Sequence, residues 1–249
     1  MGRIGDFVHV SGINLYQFAM LRRIPRYFRE WRAYKDLGGH PTWRDAFPIF
    51  VDYASEAGIA SGQYFHQDLW AARRIFEAKP RAHVDVGSRV DGFVAHVLTF
   101  MPITVVDIRP LTSDVEGLNF AQGNLTALDM PSNSLPSLSS LHAIEHVGLG
   151  RYGDALDPDG WKKALRELAR VLAPNGRLYL SVPVMDPPRV RFNADRILSP
   201  ADVLATADNL NLRLLHFSFA LSQGPLHTDV PLAQTDFSAE ACGMFEFTK

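Results

Sequence analysis

The sequence predicts an α/β fold, a doubly wound and mostly parallel sheet of seven strands preceded by a helical cap. Three observations predict it. From about residue 80 onward, short apolar strands alternate with amphipathic helices, the pattern of parallel strands joined by crossover helices. The first strand, Ala82 to Val86, runs straight into a glycine turn and then a helix. Before residue 80 the chain is aromatic, arginine-rich and helical in period, without strand signals. The expected division is therefore a helical cap over residues 1–80 and an α/β domain over residues 81–249.

In the cap, Leu15, Phe18, Ala19, Leu21, Phe28 and Trp31 recur on helical spacings across Ile13 to Tyr34, with Pro25 interrupting. Arg22, Arg23, Arg26, Arg29 and Arg32 fill much of the remainder. Two readings stand: a cap helix with a solvated basic face, or an interfacial helix that lies on an anionic membrane or grips an acidic substrate. Gly38-Gly39-His40-Pro41 then breaks the chain, and a second helix is expected from Gln67 to Lys79, ended by Pro80.

In the second part, Val90 to Phe100 reads as a helix, Ile103 to Asp107 as the second strand, Leu118 to Ala121 as the third and Leu138 to Ile144 as the fourth. Asp159 to Leu172 is an amphipathic helix with Trp161, Leu165, Leu168 and Leu172 on one side and Asp157 or Asp159 as its cap. Asn175-Gly176 turns into a fifth strand, Arg177 to Val182. A helix from Ser199 to Ala207 starts on Ser199-Pro200. Asn211 to Ala220 and Gly243 to Phe247 are the last two strands; no helix joins them, which predicts an antiparallel finish to the sheet.

Composition narrows the function. The chain has 249 residues, 47% of them hydrophobic, enough for a full α/β core. Its formal net charge is −2, which gives no reason to expect nucleic acid as a partner. The single cysteine, Cys242, cannot form an internal disulfide, and no Cys/His spacing resembles a metal site, so no metal is expected. Met1 to Val10 lacks a signal-peptide apolar core, Asp6 stands where a myristoylation signal after Gly2 needs Ser or Thr, and no run of about 20 apolar residues occurs. A cytoplasmic enzyme is expected, with peripheral contact at the inner membrane face as the alternative role of the arginine-rich helix.

Four segments carry the chemistry. Asp85 and Gly87 end the first strand in the strand–turn–helix order that places a ligand at the carboxyl end of a parallel sheet. Gly87 lets the backbone approach a ligand, and a carboxylate at Asp85 suits a cationic ligand better than a pyrophosphate. Arg89 stands where a dinucleotide fingerprint wants its second glycine, which argues against a nicotinamide cofactor. Asp107, 20 residues after Gly87, can accept hydrogen bonds from two ribose hydroxyls, with Ile108 covering a base. Asn124, after the third strand, can hold an adenine amino group beside an apolar wall at Leu125. His142, Glu145 and His146 follow the fourth strand as an acid–base cluster, His146 being the first choice of base and Glu145 the second.

The order Asp85-Val-Gly87, Val-Val-Asp107, Gly123-Asn124-Leu125, Ile144-Glu145-His146-Val147 and Arg170-Val-Leu-Ala-Pro174-Asn-Gly176-Arg resembles the class I, Rossmann-like methyltransferases. The stretch from about Gly62 to Ala233 also resembles DUF268, an uncharacterised family with such a core. The matching blocks are Gln67-Asp68-Leu69, His83 to His96, Glu145 to Asp154 and Arg191 to Arg196. The resemblance implies S-adenosyl-L-methionine as cofactor, held by Asp85, Gly87, Ser88, Asp107, Ile108, Asn124, Leu125 and His142. It implies a small-molecule or glycan acceptor, a sugar hydroxyl in polysaccharide biosynthesis, with Arg151, Tyr152 and Arg189 to Arg196 on the acceptor side. The chain departs from the pattern in three places. The glycine turn is reduced to Gly87 and Gly92, Asn124 replaces an Asp, and Phe-Asp is missing before the fourth strand. The alternative function is therefore a catalytically inactive binding protein of the same fold. The sequence leaves the oligomeric state open.

Overall fold

The computed structural model describes residues 21–249 apart from 51, 56, 59 and 223. Leu15, Phe18 and Ala19 of the expected N-terminal helix, and the Met1 to Val10 segment, lie outside the described residues. Two compact units divide between residues 59 and 60.

In the first unit, helix α1 (Ile24–Asp36) has Pro25 in its first turn, where the missing N–H costs nothing. Pro25 thus starts the helix rather than interrupting it. Tyr27, Phe28 and Trp31 form one face of α1, and Trp31 stacks on Trp43 with ring centroids 5.6 Å apart. No residue of α1 is buried.

In the second unit, the expected boundary near residue 80 falls inside the fold. Helix α2 (Gln63–Ala78) belongs to the α/β core because Trp70, Ala71, Ala72 and Ile75 pack with Phe93, Val97, Tyr179 and Met244. The sheet orders its strands β3-β2-β1-β4-β5-β10-β8-β9. These are β1 (Val84–Val86), β2 (Ile103–Asp107), β3 (Leu118–Gln122), β4 (Leu135–Leu141), β5 (Leu172–Val184), β8 (Arg213–Leu221), β9 (Leu226–His227) and β10 (Ala241–Thr248). The first five are parallel, and β10 runs antiparallel between β5 and β8. The sheet therefore has eight strands, not seven: the two-residue β9, too short to show an alternating pattern, pairs with the edge of β8. A separate hairpin, β6 (Arg189–Arg191) with β7 (Asp195–Ile197), lies in the segment expected on the acceptor side.

Both faces of the sheet are covered. Helices α4 (Gly160–Val171) and α5 (Pro200–Asp208) put Trp161, Leu165, Leu168 and Val203 against Leu138, Leu178, Leu180 and Phe245. On the other face α2 and the short α3 (Ala95–Leu98) cover Val105, Tyr179 and Met244. Successive strand residues thus enter opposite cores, which is why β5 reads as an unbroken apolar run. The expected helix from Val90 to Phe100 begins instead as a π-helical turn, Val90–Val94. There Gly92 packs directly against the Asp68 carboxylate, and a side chain would displace it. The fourth strand starts and ends three residues earlier than expected, leaving Ile144 in a 3-10 turn, Ile144–His146.

Candidate active site

The strand order reverses between β1 and β4, and the carboxyl ends of β1, β2 and β4 open onto one pocket. Such a switch point is where parallel α/β sheets form ligand crevices. The cleft spans about 600 Å³ of space counted together with its open mouth. It is lined by Gly87, Asp107, Ile108, Asn124, Leu125, His142 and His146 of the expected site residues, together with Val86, Val106, Arg109, Gly123, Ala143, Val147, Tyr152 and Asp154.

Gly87 makes the turn after β1 with φ of +81°, and a Cβ there would meet the Ala143 Cβ at 2.9 Å. Both the left-handed backbone and the close crossing of the β1 and β4 ends require glycine. Asp85 and Ser88 do not line the pocket, against expectation. Asp85 is fully buried and its oxygens are spent inside the fold. Oδ1 accepts from Ser88 Oγ and Ser139 Oγ, each at 2.5 Å, and Oδ2 accepts from the Ser88 backbone N–H at 3.0 Å. Ser88 Oγ in turn accepts from the Leu141 N–H at 2.9 Å. On the amino side His83 is held between Ser137 Oγ at 2.7 Å and Ser139 Oγ at 3.0 Å. These groups form a buried polar seam that fastens β1 and its turn to β4. Burial pushes the Asp85 carboxyl up to about 6, against the pull of its hydrogen bonds from Ser139 and Ser88. Burial also depresses His83 to about 3, so the ring is neutral.

Asp107 ends β2 at the pocket wall. Its Oδ1 accepts from the Arg109 N–H at 2.8 Å and Nε at 3.0 Å, and its Oδ2 accepts from Nη2 at 2.8 Å. Partial burial opposes ionisation, but the Arg109 guanidinium and its backbone N–H outweigh it and hold the carboxyl below its ordinary range. Arg109 also lies over the Tyr152 ring, 4.8 Å from its centroid. Asn124 Oδ1 accepts from Thr126 N–H and Oγ1, each at 2.9 Å. What Asn124 can offer a ligand is therefore its NH2 group; the acceptor expected for an adenine amino group is already engaged.

After β4 the backbone of His142 enters the left-handed region, φ +49°. Its Nδ1 lies 2.9 Å from Glu145 Oε1 and its Nε2 3.3 Å from Cys242 Sγ. The pairing with the Cys242 sulfur and Glu145 raises the His142 pKa despite burial. Glu145 lies beneath the pocket, not on its wall, and its Oε2 has no hydrogen-bond partner among the described residues. His146 lines the pocket: Nδ1–H donates to the Ala194 carbonyl at 2.7 Å, leaving Nε2 as the accepting nitrogen, 3.7 Å from Glu145 Oε1.

The loop that carries these groups is fixed by Arg196, which the sequence places on the acceptor side. Arg196, buried in the middle of β7, donates to the carbonyls of Glu145 (3.3 Å), Val147 (2.6 Å) and Asp157 (2.8 Å). A Cβ on Gly148 would fall 2.1 Å from the Asp157 carbonyl oxygen, so the loop can close only on glycine. Of the segment expected on the acceptor side, Arg196 is thus internal and Arg191 is paired with Asp195 and Glu240. Tyr152 alone of the named acceptor-side residues lines the pocket.

Comparisons with known proteins agree with this architecture. The Burkholderia thailandensis 1,6-didemethyltoxoflavin-N1-methyltransferase, solved with 1,6-didemethyltoxoflavin and S-adenosylhomocysteine, aligns at TM-score 0.53 and 15% identity over 94% of this chain and 89% of its own. A geranyl diphosphate methyltransferase in complex with S-adenosylmethionine aligns at TM-score 0.51 and 10% identity over 73% and 84%. The chain has the class I methyltransferase fold. The [4+2]-cyclase SpnF aligns as well, at TM-score 0.50 and 13% identity over 77% and 88%, so the methyltransferase fold hosts more than one chemistry. Residues 107–205 match the family model described as "Caenorhabditis protein of unknown function, DUF268", a shorter stretch than the sequence resemblance spans. No curated protein sequence matches the chain.

Proposed function

We propose that the protein is an S-adenosyl-L-methionine-dependent methyltransferase whose acceptor is a hydroxyl of a sugar or surface glycan. The observation that carries this reading is the cleft at the β1–β4 switch point, where a strand-end carboxylate, the Asn124 carboxamide and apolar walls converge. The donor set fits an adenosyl group. The Asp107 carboxylate has about four lone-pair sites; Arg109 takes three, and a turn of its guanidinium frees acceptors for two ribose hydroxyls. Asn124 presents NH2 to a ring nitrogen of adenine, and Val106, Ile108, Leu125 and Val147 supply apolar cover. Gly87 lets the β1 turn approach the ligand without a side chain.

When bound, S-adenosylmethionine supplies an electrophilic methyl group. A sugar hydroxyl is a weak nucleophile and needs a base. His146 takes that role: Ala194 fixes its tautomer, Nε2 accepts the hydroxyl proton, and the Glu145 carboxylate stabilises the resulting imidazolium. Arg151 Nη1, 3.3 Å from Nδ1, opposes that charge, so Glu145 is the necessary counterweight. His142 and Glu145 act by positioning. Arg109, Tyr152 and Asp154 give the rim hydrogen-bonding groups suited to a polyhydroxyl acceptor. The lone unpaired Cys242 accords with a cytoplasmic site of action.

One observation favours a second reading, a binding protein without catalysis: the Arg109 guanidinium already sits on Asp107. A screen of nucleotide-sugars and glycan fragments for methyl incorporation from labelled S-adenosylmethionine separates the two. Incorporation that His146→Ala abolishes supports the enzyme. Cofactor binding without incorporation into any acceptor class supports the binding protein.

A further inference from the structure

The first unit has a surface that the methyl-transfer reading does not use. Residues 21–50 contain seven Arg or Lys and three Asp or Glu, a net charge of +4 in a chain whose total is −2. The rest of the chain is therefore net −6, and the basic charge is concentrated in this segment. Arg22, Arg29 and Arg32 are exposed. None of the three has an ion pair with an acidic side chain among the described residues, whereas Arg26 is tied to Glu30 and stacks on Tyr53.

The same segment exposes large apolar side chains. Trp43 is 72% exposed, Phe47 80% and Leu37 87%, while Phe28 is 45% exposed at the edge of the α1 aromatic face. The rings are held in place: Trp43 stacks on Trp31, Phe28 lies 5.8 Å from Trp43, and Tyr27 lies 6.0 Å from Phe50. Thr42 and Asp45 cap the turn that carries Trp43, with Asp45 accepting from the Thr42 N–H and hydroxyl, each at 2.8 Å. Even with these ring contacts, the outer faces of Trp43 and Phe47 leave large apolar area in water. A lipid interface covers that area, because rings sit at headgroup depth while arginines meet the anionic headgroups. No described helix is long and apolar enough to cross a membrane.

We propose that this segment is a peripheral docking surface for anionic lipid bilayers, with Phe28, Leu37, Trp43 and Phe47 entering the interface and Arg22, Arg29 and Arg32 engaging the headgroups. The proposal is independent of the reaction in the pocket. Charge complementarity selects the occupant: a +4 segment on a net acidic protein favours an anionic surface over a second copy of the same +4 segment.

The test is co-sedimentation of the full chain with neutral phosphatidylcholine vesicles and with vesicles containing 30 mol% phosphatidylglycerol, at low and moderate salt. Binding to the anionic vesicles only, weakened by salt, is expected. Replacing Arg22, Arg29 and Arg32 by Gln should lower the partition coefficient on the order of 100-fold, about fivefold per arginine. Phe47→Ser should lower it several-fold with circular dichroism and melting temperature unchanged, which separates loss of binding from loss of fold. Equal binding to neutral vesicles, no binding to anionic vesicles at low salt, or pelleting without vesicles through self-association would overturn the proposal.

Discussion

Asp107→Ala is the substitution that bears most directly on how the pocket works. The carboxylate is bidentate to Arg109, with about 14% of its side chain exposed. Two ribose hydroxyls donating to it would each form a charge-assisted bond worth about 1.5–3 kcal/mol in favourable cases. Arg109 competes for the same oxygens and must share or turn aside. The exposed guanidinium loses little by doing so, since exposed ion pairs are worth only about 0–1 kcal/mol. The two bonds less the ion pair put the net loss on truncation at about 2–6 kcal/mol, at least roughly 30-fold in Kd for S-adenosylhomocysteine. Calorimetric titration of wild type and Asp107→Ala, with thermal melts to check folding, measures it. Arg109→Ala supplies the control: affinity should hold or rise, because a competitor for Asp107 is gone. An Asp107→Ala affinity within threefold of wild type, with the fold intact, would refute the ribose role.

Three further outcomes follow from the geometry. His146→Ala should cut turnover by about 10²–10⁴-fold while leaving cofactor affinity and melting temperature near wild type; turnover within a few-fold would remove it as the base. Arg196→Met strips three loop carbonyls of their donor and should destabilise the fold by about 2–4 kcal/mol in urea titration, with loss of ligand binding before global unfolding. For pH, the buried seam contains two opposing slopes. Asp85 titrates near 6 when folded and near 3.8 when unfolded, so the folded chain holds the extra proton between these values and stability falls as pH rises through them. His83 titrates near 3 when folded and near 6.5 when unfolded, so stability falls as pH drops through that wider range. The two nearly cancel between about pH 4 and 6. Asp85→Asn removes one slope and should make the variant lose about 3 kcal/mol relative to wild type as pH falls from 6 to 4, read by denaturant titration; parallel pH profiles would contradict the assignment.

The layered core and the strand ends were legible because they depend on local signals. Alternating elements predict the parallel sheet, and acids or glycines at strand ends mark Gly87, Asp107 and Asn124 as neighbours at one edge. Asp85 was misread for a physical reason. In a strand buried on both faces, residues of either parity are hidden, so position at a strand end does not reveal whether a side chain turns to the crevice or into the sheet. Only the pairing with β4, which places Ser139 beside Asp85, decides it. Arg196 was invisible as a clamp because its partners are backbone carbonyls, which leave no mark in side-chain identity. The eighth strand escaped notice because Leu226–His227 pairs through two residues. Gly148 carried a readable signal, a glycine directly after Val147 in the loop, whose meaning depends on the distant Asp157 carbonyl.

The central claim is that the β1–β4 crevice is an adenosyl-sulfur cofactor site. Calorimetric titration of the wild-type chain with S-adenosylhomocysteine and, separately, with NAD tests it most directly. The account predicts saturable binding of S-adenosylhomocysteine at one site per chain, weakened by Asp107→Ala, and no binding of NAD, whose pyrophosphate finds no glycine cradle beyond Gly87. Binding of NAD, or no heat with S-adenosylhomocysteine at millimolar concentration, would contradict it.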